Sequence, residues 1–507
     1  MASVIRKANI QGDIWPGLPK RFQSFLFFRI NKPDEFKSRL QSFIPQITTA
    51  QAACEMKETI AKEKELARSQ KRPAELQSLP GVNISFASTG LAALGKFTFD
   101  EARIKQDKKL SAIFRKNQLR GGLFGKGMYD DLVGEGWDDP RDLREAYKPF
   151  GDDKERLIDG VIMVTSSLEH NLAEKVKCVK EHFLKDPGSD PGNYTIIQDP
   201  AIDFFLSGKA RQDPFGFEDG LSQPQIEGLD PEPQGIEPKA VKSGMIFCGH
   251  EGDEMNQPEW ALDGSFLVFR DLQQLVPEFD KFTEENVHKA PFAKDSPNPK
   301  EKLAAYLMGR WKNGTPVDES PHHDSNEDLH KSNNFDYRPV NKHDKCPFAA
   351  HIRKMRPRGD LEDDHAVIIR RGISYGGEVT PSEKSCQKSD PALERGLLFV
   401  CYQSDIRNGF NFLTTRWASN HHFPDRKDMF VGGNGPGIDA IVGQRLPHHP
   451  PRSIGLPDGN EPTEARMELD SWVVHKGGEY FFTPSIEALR TYLTGPSDYP
   501  STRAHKL

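Results

Sequence analysis

A chain of 507 residues with a net charge of −7 and 28% charged side chains is long enough for two or three cores. Its acidity excludes a general nucleic-acid footprint, and no apolar run approaches the roughly 20 residues that a bilayer-crossing helix needs. Six cysteines without a C-x-x-C pair argue against a zinc site or iron–sulfur cluster, and most read as buried free thiols, while 42 glycines and 38 prolines point to many turns.

The opening MASVIRKANIQGDIW carries no apolar signal-peptide core. The closing His505-Lys506-Leu507 is one residue away from a Ser-Lys-Leu peroxisomal address. An intracellular protein is the expectation, with a secreted mature form as the alternative.

The first strand is predicted at 22–30 (FQSFLFFRI), rich in aromatic and branched residues and stopped by Asn31-Lys32-Pro33. Helical periodicity follows from 34 to about 72, with Lys57, Glu58, Lys62, Glu63, Lys64 and Glu65 on a solvated face. A second strand is predicted at 82–86, then a short helix at 90–94 capped by Ser88-Thr89. The Gly-rich, acidic stretch 120–140 reads as an irregular excursion. A third strand at 159–165 (DGVIMVT), a helix at 167–183 with Ser167 as cap, and a fourth strand at 194–198 complete the first half.

The second half repeats the pattern. SFLVFR at 265–270 echoes SFLFFR at 24–29. Helices are predicted at 276–289 and 299–311, strands at 396–402 and 479–483 around a helix at 405–419, and a last helix at 485–493. The expected fold is α+β: two ferredoxin-like halves, 1–235 and 236–507, with mainly antiparallel sheets and helices packed on them. A ligand pocket is expected between the halves, or between sheet and helices.

Three stretches carry chemistry. In CPFAAHIRKMRPR (346–358), His351 sits on an apolar run that opens into Arg353, Lys354, Arg356 and Arg358. A neutral imidazole on an apolar wall suits haem iron, and the basic cluster, Arg353 included, suits two propionates. A packed core histidine fits the same stretch. In GFEDG (216–220), glycines let the backbone approach a flat ligand and aim Asp219; an ordinary Asp-Gly turn reads the same way. In IIRRGISYG (368–376), an arginine leaves a strand end before a glycine turn, or forms part of a surface pair. The polar stretch 313–341 holds His322, His323 and His330 among acids, but without an i, i+4 histidine pair it reads as a solvated loop. Cys248-Gly249-His250 is not the C-x-x-C-H of covalent haem attachment.

Together, in this order, these three stretches resemble the dye-decolourising peroxidase family. NIQGDI at 9–14 and RGLLFVCYQSDIRNGF at 395–410 resemble its fungal branch, and the resemblance runs from about 9 to about 490. It implies haem b bound without a covalent link, with His351 as axial iron ligand. Asp219 and Arg370 would then be catalytic on the distal side, and Phe217, Gly220, Leu397 and Phe399 would lie around the cofactor. Arg370 is favoured over Arg371 for the distal role, since neighbouring strand residues face opposite ways and only one of the pair can face the cofactor.

The implied activity is reduction of hydrogen peroxide and oxidation of dyes, phenols or other bulky aromatic donors by way of a ferryl intermediate. An acidic optimum is expected from the aspartate. Surface electron transfer would fall to Trp417, with Tyr375 and Tyr337 as further candidates. A haem carrier, needing neither Asp219 nor Arg370, is the alternative. No nucleic-acid or membrane partner is expected.

Overall fold

The computed structural model describes residues 4–96, 119, 121–151, 158–183, 205–207, 212–255, 257–322, 327–340, 343–361, 366–427, 435–446, 448–456 and 466–498. Its strands are β1 (Phe22–Phe28), β2 (Gly81–Phe86), β3 (Gly160–Ser166), β4 (Phe205–Ser207), β5 (Ser265–Gln274), β6 (Ile369–Arg370), β7 (Ile373–Tyr375), β8 (Gly396–Gln403), β9 (Ser453–Gly455), β10 (Arg466–Glu468) and β11 (Val473–Thr483). β9 and β10 pair with each other; the rest form one sheet in the order β4-β1-β3-β2-β11-β5-β8-β6, with β7 also on β8.

Every pairing in that sheet is antiparallel. β1 to β4 lie in the order fourth-first-third-second. Counting β6 and β7 as one interrupted strand, β5 to β11 repeat that order. This is the duplication that the SFLFFR/SFLVFR echo implies, fused into a single sheet. The seam between the two halves is the β2–β11 pair, joined at Phe86 and Phe482, and the outer edges β4 and β7 lie against each other.

Both faces of the sheet are buried, which explains why its strands read as continuous apolar runs rather than as alternation. Phe25, Phe27, Val161, Met163, Leu267, Phe269, Leu398 and Val400 fill one side. On the other side Leu26, Phe28, Ile84 and Ile162 meet Phe36, Leu40 and Phe43 of helix Pro33–Phe43 and Leu172, Val176 and Val179 of helix Glu169–Phe183. Each such side chain contributes about 1.5–3 kcal/mol when fully buried. In the second half, helices Val276–Asn286 and Pro299–Met308 cover the corresponding side, with Phe279 and Phe282 packed around Trp472.

Several expectations need correction. The helical run at 34–72 is two helices, Pro33–Phe43 and Ala50–Ser69, because Pro45 breaks the first and Thr49 caps the second. The helix expected from 167 starts at Glu169. A strand at 194–198 lies outside the described residues, and β4 follows at Phe205–Ser207. The helix at 405–419 is two stretches of wide, π-type turns, Arg407–Asn411 and Leu413–Ala418, with non-helical backbone at Gly409.

Candidate active site

The sheet of the second half builds one wall of a cavity. Leu397 and Phe399 of β8 point outward while Leu398 and Val400 enter the core. Cross-strand register then dictates which neighbours share that outer face. Arg270 of β5 stands opposite Phe399, Leu272 opposite Leu397, and His475 of β11 opposite Leu272. Arg370 of β6 stands opposite Cys401, two residues beyond Phe399. All of the outward residues except Cys401 line the cavity. Arg371 faces the other way, as expected, and donates to the carbonyls of Asp13 and Ile14 at 2.9 and 3.1 Å.

The acid arrives on a tight loop. Gly216 takes φ +91°, which favours glycine, and the Asp213 and Phe217 backbones bond across the turn at 2.8 Å. Buried Phe217 lines the cavity. Gly220, at φ +76°, has open space where a Cβ would stand. It is needed for its backbone angle rather than for room.

Asp219 Oδ1 accepts the Gly220 N–H and an Arg370 guanidinium N–H, both at 2.6 Å. Oδ2 takes no hydrogen bond from the described residues. The aspartate side chain is 36% exposed, but it opens onto a cavity walled by protein. Burial pushes its carboxyl up; Arg370, the Gly220 N–H and then His351 outweigh that and hold it below the usual carboxylate range. Arg370 is fixed in turn by the Ser222 carbonyl at 3.1 Å and by a two-way backbone bond to the Gln223 amide.

On the opposite, helical wall stands His351, the first residue of the short helix His351–Met355. Its Nδ1 lies 2.8 Å from Oδ2 of fully buried Asp439. Oδ1 of that aspartate accepts the N–H groups of Ile441 and Val442 at 2.8 and 3.0 Å. Burial raises the Asp439 carboxyl, yet His351 and these two N–H groups bring it below its ordinary value. An acceptor-only carboxylate at Nδ1 puts the imidazole proton there and leaves the Nε2 lone pair for a metal.

Between the walls lies a cavity of about 250 Å³, the space open to the centre of a water, lined mostly by apolar atoms. Arg310, Arg356 and Arg358 add positive charge to its lining. Buried Arg310 is held by neutral groups, the Gly314 and Ser332 carbonyls and the Asn333 amide oxygen, at 2.7–3.0 Å. Burial and the neighbouring Arg358 push its pKa down to about 10. An imidazole with a free lone pair, apolar walls and a cationic lining fit an iron porphyrin with two carboxylates.

Comparisons with known proteins identify the family. Residues 9–187 match the DyP dimeric alpha+beta barrel domain and residues 305–437 the C-terminal domain of Dyp-type peroxidases. The dye-decolorizing peroxidase msp1 of Mycetinis scorodonius is 33% identical, over 96% of this chain and 87% of its own. The structure of an ancestral D-type dye-decolorizing peroxidase superposes with a TM-score of 0.81 at 36% identity, covering 97% of this chain and all of that one. A dye-decolorizing peroxidase in complex with 2,6-dimethoxyphenol gives 0.76 at 32%, covering 97% and 100%. The chain belongs to the dye-decolourising peroxidase family.

Dye-decolourising peroxidases are haem enzymes, and in this one the structure brings His351, Asp219, Arg370, Phe217, Gly220, Leu397 and Phe399 to one cavity. It does not bring Arg353. That guanidinium is 1% exposed, pairs with Asp360 at 2.7 Å and stacks on Tyr337 and Phe348. Lys354 is also turned inward, donating to the carbonyls of Trp417, Asn420 and Phe423. The helix His351–Met355 carries consecutive residues about 100° apart, so two of the four basic residues in the run look away from the cavity.

The three surface electron-transfer candidates are not at the surface. Trp417, Tyr375 and Tyr337 are 2%, 4% and 2% exposed. Trp417 stacks on Phe423 at 4.9 Å, and Tyr375 donates to Asp271. Tertiary packing buries each of them: Tyr337 against Phe335 and Cys346, Trp417 against Leu413 and Phe423, and Tyr375 in the core of the sheet. Among the described residues no cluster of three metal-ligating side chains exists, and His330 meets the Asn313 amide instead. The residue that sequence reasoning missed is Asp439, in GPGIDA; a carboxylate after two glycines, lying far along the chain, gives no local sign of facing His351.

Proposed function

We propose that this peroxidase holds haem b without a covalent link on His351, and uses Asp219 and Arg370 to activate hydrogen peroxide for the oxidation of dyes, phenols or other bulky aromatic donors. The observation that carries the reading is the 2.6 Å Asp219–Arg370 pair, facing the same cavity as an imidazole oriented by a buried carboxylate. No cysteine neighbours a histidine in the pattern of thioether attachment, and Cys346, five residues before His351, is buried and free.

When bound, the haem supplies the iron that takes peroxide and the oxidising equivalents that donors later quench. The side chains do the proton work. Oδ2 of Asp219, free of hydrogen bonds from the described residues, would accept a proton from one oxygen of peroxide and return it to the other. Arg370 keeps that carboxyl ionised and sets its direction through Oδ1. As a fixed cation it also stabilises the negative charge that develops on the departing oxygen. Leu397 and Phe399 would give the space beside the Asp219–Arg370 pair an apolar wall. Asp439 holds the imidazole in one tautomer and orientation.

An absorption spectrum of the haem-loaded protein, with and without one equivalent of peroxide, tests the reading. Asp219→Asn should keep its haem and react with peroxide about 10² to 10⁴ times more slowly. Full-rate reaction in that variant would remove the aspartate from the acid–base role. Absence of any peroxide-induced spectral change in the wild type would leave only a haem carrier.

A further inference from the structure

The mechanism above leaves unused a buried tyrosine–aspartate pair behind the cavity wall. Tyr480, in β11, is wholly buried, and its phenol donates to Oδ2 of Asp131 at 2.6 Å. Asp131 is 3% exposed and accepts a second bond on the same oxygen, from the Asn411 amide at 3.0 Å. The Tyr480 ring lies 6.2 Å from that of Phe410, which lies 6.2 Å from that of Phe399. Both phenylalanines line the cavity. An unbroken aromatic path therefore leads from the cofactor space to a phenol that already points its proton at a carboxylate.

We propose that Tyr480 is a redox side chain of this enzyme, releasing one electron toward the cavity while its phenolic proton moves to Asp131. The inference rests on the haem peroxidase reading above. In the step, the Tyr480 O–H bond breaks and an O–H bond forms on Asp131 Oδ2. The electron goes to the peroxide-oxidised cofactor, which is reduced by one equivalent, and a neutral phenoxyl remains. Reduction by an aromatic donor reverses both movements.

The chemistry favours this pair for a stated reason. A phenol that loses an electron becomes a strong acid, and in a dry interior its proton needs an acceptor already in hydrogen-bond contact. Burial raises the Asp131 carboxyl above its ordinary value, against the hydrogen bonds from Tyr480 and Asn411 that lower it, so it holds a received proton more firmly than an exposed aspartate. Because Tyr480 is fully buried, no dye can touch it. Its role is to hold an oxidising equivalent inside the protein while no donor is present.

The test is electron paramagnetic resonance on haem-loaded enzyme, freeze-quenched after one equivalent of peroxide without donor, with the optical spectrum recorded in parallel. The wild type should give a tyrosyl signal with one exchangeable proton coupling that disappears in D2O. Tyr480→Phe should lose that signal, and Asp131→Asn should lose or strongly diminish it, while the first optical change with peroxide keeps its rate in both. A signal of unchanged shape and yield in Tyr480→Phe would overturn the proposal. So would a wild-type tyrosyl signal without an exchangeable coupling, a result that does not depend on the variants folding. A wild type with the optical change but no tyrosyl signal would sink Tyr480 alone; no optical change at all would sink the peroxidase reading with it.

Discussion

The role proposed for Asp219 depends on the direction of its titration. Its carboxyl is held below the ordinary aspartate value by Arg370, so the proton-accepting form survives as pH falls and is lost only when pH passes the lowered value. The rate of reaction with peroxide should stay level from neutrality down through about 3.9, the usual aspartate pKa, and fall below it. Arg370→Leu removes the largest opposing influence on burial, so the break should move upward; stopped-flow pH profiles of the two proteins check this. Asp439→Asn leaves the shape of the proximal side but removes the carboxylate acceptor for His351 Nδ1. A loss of about 10- to 100-fold in haem affinity is expected, read from haem transfer to an apo-globin acceptor. Of these residues, Asp219, Arg370 and His351 were legible in local motifs, each flanked by residues that explain it. Asp439 was not, since its meaning comes from an imidazole 88 positions away.

At the scale of elements, strand alternation decides most of the site. The family resemblance pointed to Arg370, period two set Arg371 on the opposite face, and register across β8, β5 and β11 set the rest of the wall. The start of β11 was not legible, because the strand continues through a bulge between His475 and Gly477, and a Gly-Gly pair reads as a turn. Gly477 has φ +115°, and a Cβ there would stand 2.6 Å from the Tyr147 ring. Gly477→Ala should cost on the order of 1–3 kcal/mol and displace His475 from the cavity wall. Thermal unfolding measures the first effect, and the second appears as a perturbed haem absorption band.

For the whole molecule, a buried ion pair ties the 120–140 excursion to the central sheet. Arg270 of β5 holds Asp138 through both guanidinium nitrogens at 2.9 and 3.0 Å, and His475 Nδ1 lies 3.1 Å from the same carboxylate. Burial raises the Asp138 carboxyl, but Arg270 and His475 pull it far below its ordinary value. Its stabilising contribution is therefore complete above about 3.9 and is lost as pH falls through the lower folded value. Arg270→Leu leaves the carboxylate buried without its main partner and should cost about 3–5 kcal/mol near neutral pH. The difference from wild type in urea unfolding should shrink in acid, where the stranded carboxyl is protonated.

The sequence by itself determined what is local: most of the longer strands, the SFLFFR/SFLVFR echo of a doubled order, the histidine beside an apolar run, and the acid and arginine on glycine-bounded turns. These depend on side-chain period and backbone freedom over a few residues, which a linear string contains. Only the tertiary structure decided which groups meet. It fused the two halves into one sheet, turned Arg353 and Lys354 inward, buried Trp417, Tyr375 and Tyr337, and put Asp439 under His351 and Asp131 against Tyr480. Those outcomes depend on packing between segments hundreds of residues apart, where burial and hydrogen-bond partners, rather than residue type, fix the role of a side chain.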